Sequence, residues 1–127
     1  MSLEGVRVLL VEDEGLVAMS LEDMLADLGC EVTASADNLD AALEKARSGA
    51  FECALLDVNL RGKEVLPVAE MLSARGIPFA FSSGYGRAGL PEKFRGRPVV
   101  AKPFQSEELA AALEAALANR PATPAGE

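Results

Sequence analysis

The run Ala54-Leu55-Leu56 passes without a break into Asp57, and Val58-Asn59-Leu60-Arg61-Gly62 then closes it with a turn. An apolar segment that ends on a single carboxylate reads as a strand that surfaces with a reactive group at its tip. In open α/β sheets ligands bind in the crevice at the carboxyl ends of the strands, so this placement constrains the fold and the chemistry together. Two further runs behave alike. Val6-Arg7-Val8-Leu9-Leu10-Val11 stops at Glu12-Asp13-Glu14-Gly15, and Ile77-Pro78-Phe79-Ala80-Phe81 stops at Ser82-Ser83. Near-continuous hydrophobicity is what a parallel strand covered on both faces requires.

Between the runs the period changes from strand to helix. Leu16, Met19, Leu21, Met24, Leu25 and Leu28 recur near helical spacing before Gly29, which stops a first helix. Glu31 to Ser35 is a weaker strand, and Asp37 is expected to cap a helix whose Leu39, Ala42, Leu43 and Ala46 line one face up to Gly49. Val65, Val68, Ala69 and Leu72 mark a third helix that ends near Gly76. Gly84 to Pro91 holds too many glycines for a helix interior, so the segment up to Pro98 is expected to carry a short or irregular fourth helix. Val99 to Phe104 reads as a short fifth strand. Leu109, Ala112, Leu113, Ala116 and Leu117 form the stripe of a last helix with Ser106 as its expected cap, Glu107 and Glu108 at its positive end, and an outer side free for docking. Five strands alternating with helices predict an α/β fold, a doubly wound parallel sheet with right-handed crossovers. One domain is expected over residues 1–119, with a disordered tail over 120–127.

Composition excludes several functions. The chain has no His, so acid, base or metal work falls to carboxylates, Lys or Ser. Twelve basic residues against twenty acidic ones give a charge of −8, which repels a phosphate backbone, so direct nucleic-acid binding is not expected. Cys30 and Cys53 form no CxxC pair and read as small buried hydrophobes. No membrane span and no secretory leader are visible, so a soluble, cytoplasmic chain is expected.

The strand ends gather Glu12, Asp13, Asp57, Ser83 and Lys102 along one edge of such a sheet. Clustered carboxylates repel unless a cation intervenes, and hard oxygen ligands favour magnesium. A magnesium ion and a Lys flanking a carboxylate nucleophile are what neutralise a transferring phosphoryl group. Asp57 would then become an acyl phosphate.

These motifs, Val11-Glu12-Asp13-Glu14, Leu56-Asp57-Val58-Asn59-Leu60, Ser82-Ser83-Gly84 and Lys102-Pro103-Phe104, resemble the receiver domain of bacterial two-component response regulators over about Val6 to Leu117. The resemblance implies a flavodoxin-like strand order, 2-1-3-4-5, with helices on both faces. It implies that Asp57 accepts a phosphoryl group from a histidine kinase or phosphotransfer protein. Asp13, Asp57 and the backbone carbonyl of Asn59 would hold Mg2+, with Glu12 helping through water. Lys102 is similar to the family's phosphoryl-binding lysine and Ser83 to its switch hydroxyl, while Asn59 and Tyr85 fall where the family tunes aspartyl-phosphate lifetime. Three departures accompany the likeness. Glu12 replaces the usual first Asp, Val99 stands where many receivers carry a Tyr or Phe that turns inward on activation, and residues 84–91 lie where the fourth helix belongs. A stand-alone receiver acting in a phosphorelay through an unidentified downstream protein is the expected function, with an unusual output surface. A receiver-like binding module that switches without phosphorylation is the alternative. An aspartyl-phosphate phosphatase is disfavoured, because its general acid would stand where Asn59 is.

Overall fold

The computed structural model describes residues 3–118. Five parallel strands make the sheet: β1 (Arg7–Val11), β2 (Glu31–Ala36), β3 (Cys53–Asp57), β6 (Phe79–Ser83) and β7 (Val99–Ala101), with β4 (Asn59–Leu60) and β5 (Lys63–Glu64) paired separately as a small hairpin. Their order is β2-β1-β3-β6-β7, which is 2-1-3-4-5 when the main sheet is counted alone, as expected. Helices α1 (Gly15–Asp27), α2 (Leu39–Ser48), α3 (Leu66–Ala74) and α4 (Ser106–Ala118) cover it. Alternation along the strands sorts the core. Val8, Leu10, Cys53, Leu55, Ala80 and Val100 pack with Leu21 and Leu25 of α1 and Leu109 and Leu113 of α4. Leu9, Val11, Ala54, Leu56, Phe79 and Phe81 pack with Ala42 and Ala46 of α2 and Val68 and Leu72 of α3. Both cysteines are buried. Among the described residues no helix is long and apolar enough to cross a membrane. The expected tail lies outside the described residues.

Three local expectations are corrected. Leu16 and Met19 are 84% and 62% exposed, because the buried stripe of α1 runs through Leu21 and Leu25 with Val17, Ala18, Met24 and Leu28 alongside. The cap of α2 is Asn38, whose side chain accepts from the Ala41 N–H at 2.9 Å, while Asp37 instead accepts from the Asn38 side chain. Ser106 is the first residue of α4 rather than its cap; Gln105 precedes the helix, its carbonyl accepts from the Glu108 and Leu109 N–H groups, and its own N–H donates to Glu108 Oε1 at 2.8 Å.

The irregular fourth helix is confirmed as two short 3-10 turns, Gly86–Gly89 and Glu92–Phe94. Leu90 and Phe94 plug the gap beside the sheet, and Phe94 meets Phe79 edge-on at 5.7 Å. Arginines brace what a helix would otherwise satisfy internally. Arg87 donates to the carbonyls of Arg95 and Arg97, and Arg95 to that of Leu90. Arg97 stacks over Phe79 at 4.7 Å, an arrangement worth about 0.5–2 kcal/mol.

Candidate functional site

β1 delivers Glu12 and Asp13 one and two residues past its end, and β3 delivers Asp57 as its last residue. Because β1 and β3 are adjacent and parallel, the three carboxylates converge, with oxygens that all lie within 4.8 Å of one another. β7 brings Lys102 to the same edge. Its Nζ lies 3.3 Å from Glu12 Oε1 and 3.4 Å from Asp57 Oδ2, so one ammonium bridges two buried carboxylates.

Each carboxylate is also tied to the backbone. Glu12 Oε2 accepts from the Glu14 N–H at 3.2 Å, Asp57 Oδ1 from the Asn59 N–H at 3.3 Å, and Asp13 Oδ2 from the Arg61 N–H at 2.8 Å. These bonds orient the oxygens toward a common centre. Three hard oxygen donors around one point suit a small divalent cation such as magnesium, which takes one or two carboxylates and keeps several waters.

The charges leave clear signatures. Burial, reinforced by the negative charge of Glu12, pushes the Asp57 carboxyl up to about 7 against the opposing pull of Lys102 and the Asn59 N–H. Burial works against the Lys102 ammonium, yet Asp57 and Glu12 outweigh it and hold that group above the usual lysine range. For Asp13 burial raises the carboxyl, but the bond from the Arg61 N–H and its neighbours' bonds hold it below the usual range. Asp57 and Asp13 are therefore unequal: burial and the charge of Glu12 suppress ionisation of the first, while bonds from the Arg61 N–H and its neighbours favour ionisation of the second.

Ser83 is buried at the end of β6, where its Oγ accepts from the Tyr85 N–H at 3.0 Å. It shares a cavity with Asp57, Asn59, Tyr85, Gly89 and Leu90. A Cβ at Gly89 would lie 2.3 Å from Ser83 Oγ and would displace that hydroxyl. Tyr85 itself is 84% exposed.

Two contributors escape a reading of the sequence. Asn59–Leu60 and Lys63–Glu64 form a two-stranded antiparallel hairpin, β4 and β5, after β3. Its turn residues Arg61 and Gly62 have φ of 53° and 84°, as a two-residue hairpin loop with left-handed central positions requires. The Gly62 N–H donates to Asn59 Oδ1 at 2.7 Å, which commits the Asn59 side chain to the turn. Arg61 reaches the carbonyl and carboxylate of Asp37, so the turn that holds Asp13 is itself pinned to the end of β2. Gly62 was the only signal of this arrangement in the sequence.

Comparisons with known proteins agree with this geometry. The response regulator receiver domain family matches residues 8–114. The transcriptional regulatory protein PdtaR of Mycobacterium tuberculosis is 30% identical over 117 residues, covering 89% of this chain and 57% of PdtaR, and the chain spans about half the length of other curated relatives. The solution structure of SdrG from Sphingomonas melonis Fr1 superposes with a TM-score of 0.80 at 44% identity, over 92% of this chain and 99% of that one. The BeF3-activated conformation of SdrG gives a TM-score of 0.75 at 46% identity, over 87% and 95% of the two chains. With five parallel strands in the family's order and a matching sequence over most of its length, this chain belongs to the response regulator receiver domain family of two-component systems.

Proposed function

We propose that the chain accepts a phosphoryl group on Asp57 from a histidine kinase or phosphotransfer protein and passes the signal on through a protein partner, as a cytoplasmic stand-alone receiver. The observation that carries this reading is Lys102 Nζ bridging Glu12 and Asp57 beside the clustered carboxylates. An isolated carboxylate cap has no need of a half-buried lysine, whereas a phosphoryl acceptor needs a cation for the oxygens that arrive.

Glu12, Asp13 and Asp57, with the Asn59 carbonyl, would hold Mg2+, which when bound neutralises phosphoryl oxygens and draws Asp57 into its ionised form. The residues of the chain do the rest. Asp57 attacks phosphorus through a carboxylate oxygen, and the electron pair of the broken bond returns to the donor. Lys102 leaves its bridging position to meet one phosphoryl oxygen. Ser83 gives up the Tyr85 N–H to meet another, and the cavity it shares with Gly89 and Leu90 lies against residues 84–98. That irregular segment is the candidate output face.

A protein donor also needs a place to dock. Exposed Leu16, with Val17, Met24, Pro103 and Phe104, lines an apolar groove that reaches Lys102, and it is the surface from which a phosphohistidine would approach Asp57. SdrG, described in a BeF3-activated conformation, supports the same chemistry for this chain. Acetyl phosphate with magnesium is the direct test: phosphorylation of Asp57 supports the reading, and unchanged labelling in Asp57→Asn removes it.

A further inference from the structure

β6 ends in two adjacent serines, and the sheet sends them to opposite faces. Leu55 stands opposite Ala80, and both belong to the core beneath α1 and α4. Leu56 stands opposite Phe81, and both belong to the core beneath α2 and α3. Two residues beyond the first pair, Asp57 stands opposite Ser82, which stands opposite Val100 of β7. Val100 lies in the α1 and α4 core. Period-two alternation therefore puts the Ser82 side chain on the face that carries Asp57, between it and the strand that brings in Lys102.

Ser82 is 1% exposed. Its Oγ is a buried side-chain polar atom without a hydrogen-bond partner, the one such atom among the described residues. A buried hydroxyl in that condition costs about 1–3 kcal/mol, and an alanine would fill the position without it. The neighbouring carboxylate explains what the hydroxyl is held for. In the unmodified protein Asp57 already has both oxygens served, Oδ1 by the Asn59 N–H and Oδ2 by Lys102. Once Asp57 carries a phosphoryl group, Lys102 is drawn to the phosphoryl oxygens and the acyl oxygen loses its cation.

We propose that Ser82 supplies the missing donor: its hydroxyl bonds the Asp57 oxygen that departs from phosphorus, and so shortens the life of the aspartyl phosphate. This rests on the reading that Asp57 is the phosphoacceptor. In the step concerned, a water oxygen bonds to phosphorus, the bond between phosphorus and the Asp57 oxygen breaks, and its electron pair stays on the carboxylate. Both water protons leave on inorganic phosphate. Negative charge grows on the departing oxygen during that step, so a donor there lowers the barrier. Adjacent strands lie about 4.8 Å apart, and serine moves its hydroxyl by rotating one torsion between staggered wells. Turning toward Asp57 requires no backbone movement.

The test compares wild type, Ser82→Ala, Ser82→Thr and Ser82→Cys after loading with acetyl phosphate and magnesium, removing the donor and following loss of the phosphoryl group by intact mass. Loss of one hydrogen bond of ordinary strength predicts decay about threefold to tenfold slower in Ser82→Ala. Ser82→Cys, a poor donor of similar shape, should match it, and Ser82→Thr should decay like wild type. Magnesium affinity, read by calorimetry without any phosphoryl donor, should be the same in all four. Decay in Ser82→Ala that is unchanged or faster overturns the proposal. Slowing shared by Ser82→Thr, or accompanied by weaker magnesium binding, overturns it too, since a distorted site would then be the cause. A wild type that takes no label on Asp57 overturns the phosphoacceptor reading and this proposal with it, whereas normal labelling with unchanged decay overturns the role of Ser82 alone.

Discussion

Replacing Asp57 with Asn should make the metal-free domain more stable, and by an amount that grows with pH. Asp57 is 6% exposed, and its carboxyl is raised from 3.8 to about 7 by burial and by Glu12. In the unfolded chain the same carboxyl ionises near its ordinary value. Between about pH 4 and pH 7 the folded state therefore holds a proton that the unfolded state has lost. Stability falls as pH rises across that window, because it rises with pH only where the unfolded state binds more protons. The gap corresponds to about 4 kcal/mol once pH exceeds 7, at 1.36 kcal/mol for each pH unit. Asn removes the charge, keeps an oxygen for the Asn59 N–H and leaves Lys102 paired with Glu12. The buried amide returns part of the gain, so Asp57→Asn should be more stable by about 2–4 kcal/mol at pH 8 and by less than about 1 kcal/mol at pH 4.5. For a domain of this length that is a rise in Tm of about 8–15 °C at pH 8. Thermal unfolding followed by circular dichroism in EDTA, at several pH values, reads it out. Saturating magnesium should stabilise the wild type more than the variant and narrow the gap. A variant that melts at or below the wild-type temperature at pH 8 in EDTA would refute the electrostatic account of the site.

Four other changes test separate parts of the structure. Asp13→Ala should weaken magnesium binding by about tenfold or more in a calorimetric titration, and an unchanged Kd would show that Asp13 is not a ligand. Leu16→Asp should leave labelling by acetyl phosphate intact while slowing transfer from a phosphorylated histidine phosphotransfer protein, and equal slowing of both would count against the groove beside α1 as the donor's docking surface. Phe94→Ala removes an aromatic ring packed against both Phe79 and Phe81, so denaturant unfolding should show a loss of about 3–5 kcal/mol, whereas a loss below about 1 kcal/mol would mean that the 84–98 segment does not plug the core. Asn38→Ala should cost about 1 kcal/mol through the lost cap of α2, and Asp37→Ala in the same assay should cost less.

The strands that position the site were legible because burial on both faces leaves no alternation to misread. Val8 to Val11, Ala54 to Leu56 and Phe79 to Phe81 are buried throughout, and each run ends at a polar residue. That alone places Glu12, Asp13, Asp57 and Ser83 on one edge. Contacts between residues distant in sequence were not legible. Nothing in Arg97 announces that it will lie over Phe79, nor in Arg61 that its N–H will hold Asp13 from 48 positions away. Strands of two residues, as in the 59–64 hairpin, are too short to show any period. Caps failed by one residue because adjacent side chains offer equivalent chemistry: Asp37 and Asn38 each carry an oxygen able to accept from a backbone N–H, and only the geometry of the entering chain selects Asn38. Leu16 and Met19 mislead for a related reason, since an apolar residue off the buried stripe has the same letter as one on it. Ser82 and Ser83 show the same limit within the site, as strand register alone assigns them to different faces.

Whether Asp57 is the phosphoacceptor of a magnesium-dependent receiver is read by intact mass and peptide mapping after incubation with acetyl phosphate. One added phosphoryl group is expected, located on Asp57, that appears with magnesium, disappears with EDTA and is absent in Asp57→Asn. A wild type that gains no phosphoryl group with magnesium present, or an Asp57→Asn variant that labels as well as the wild type, would contradict it.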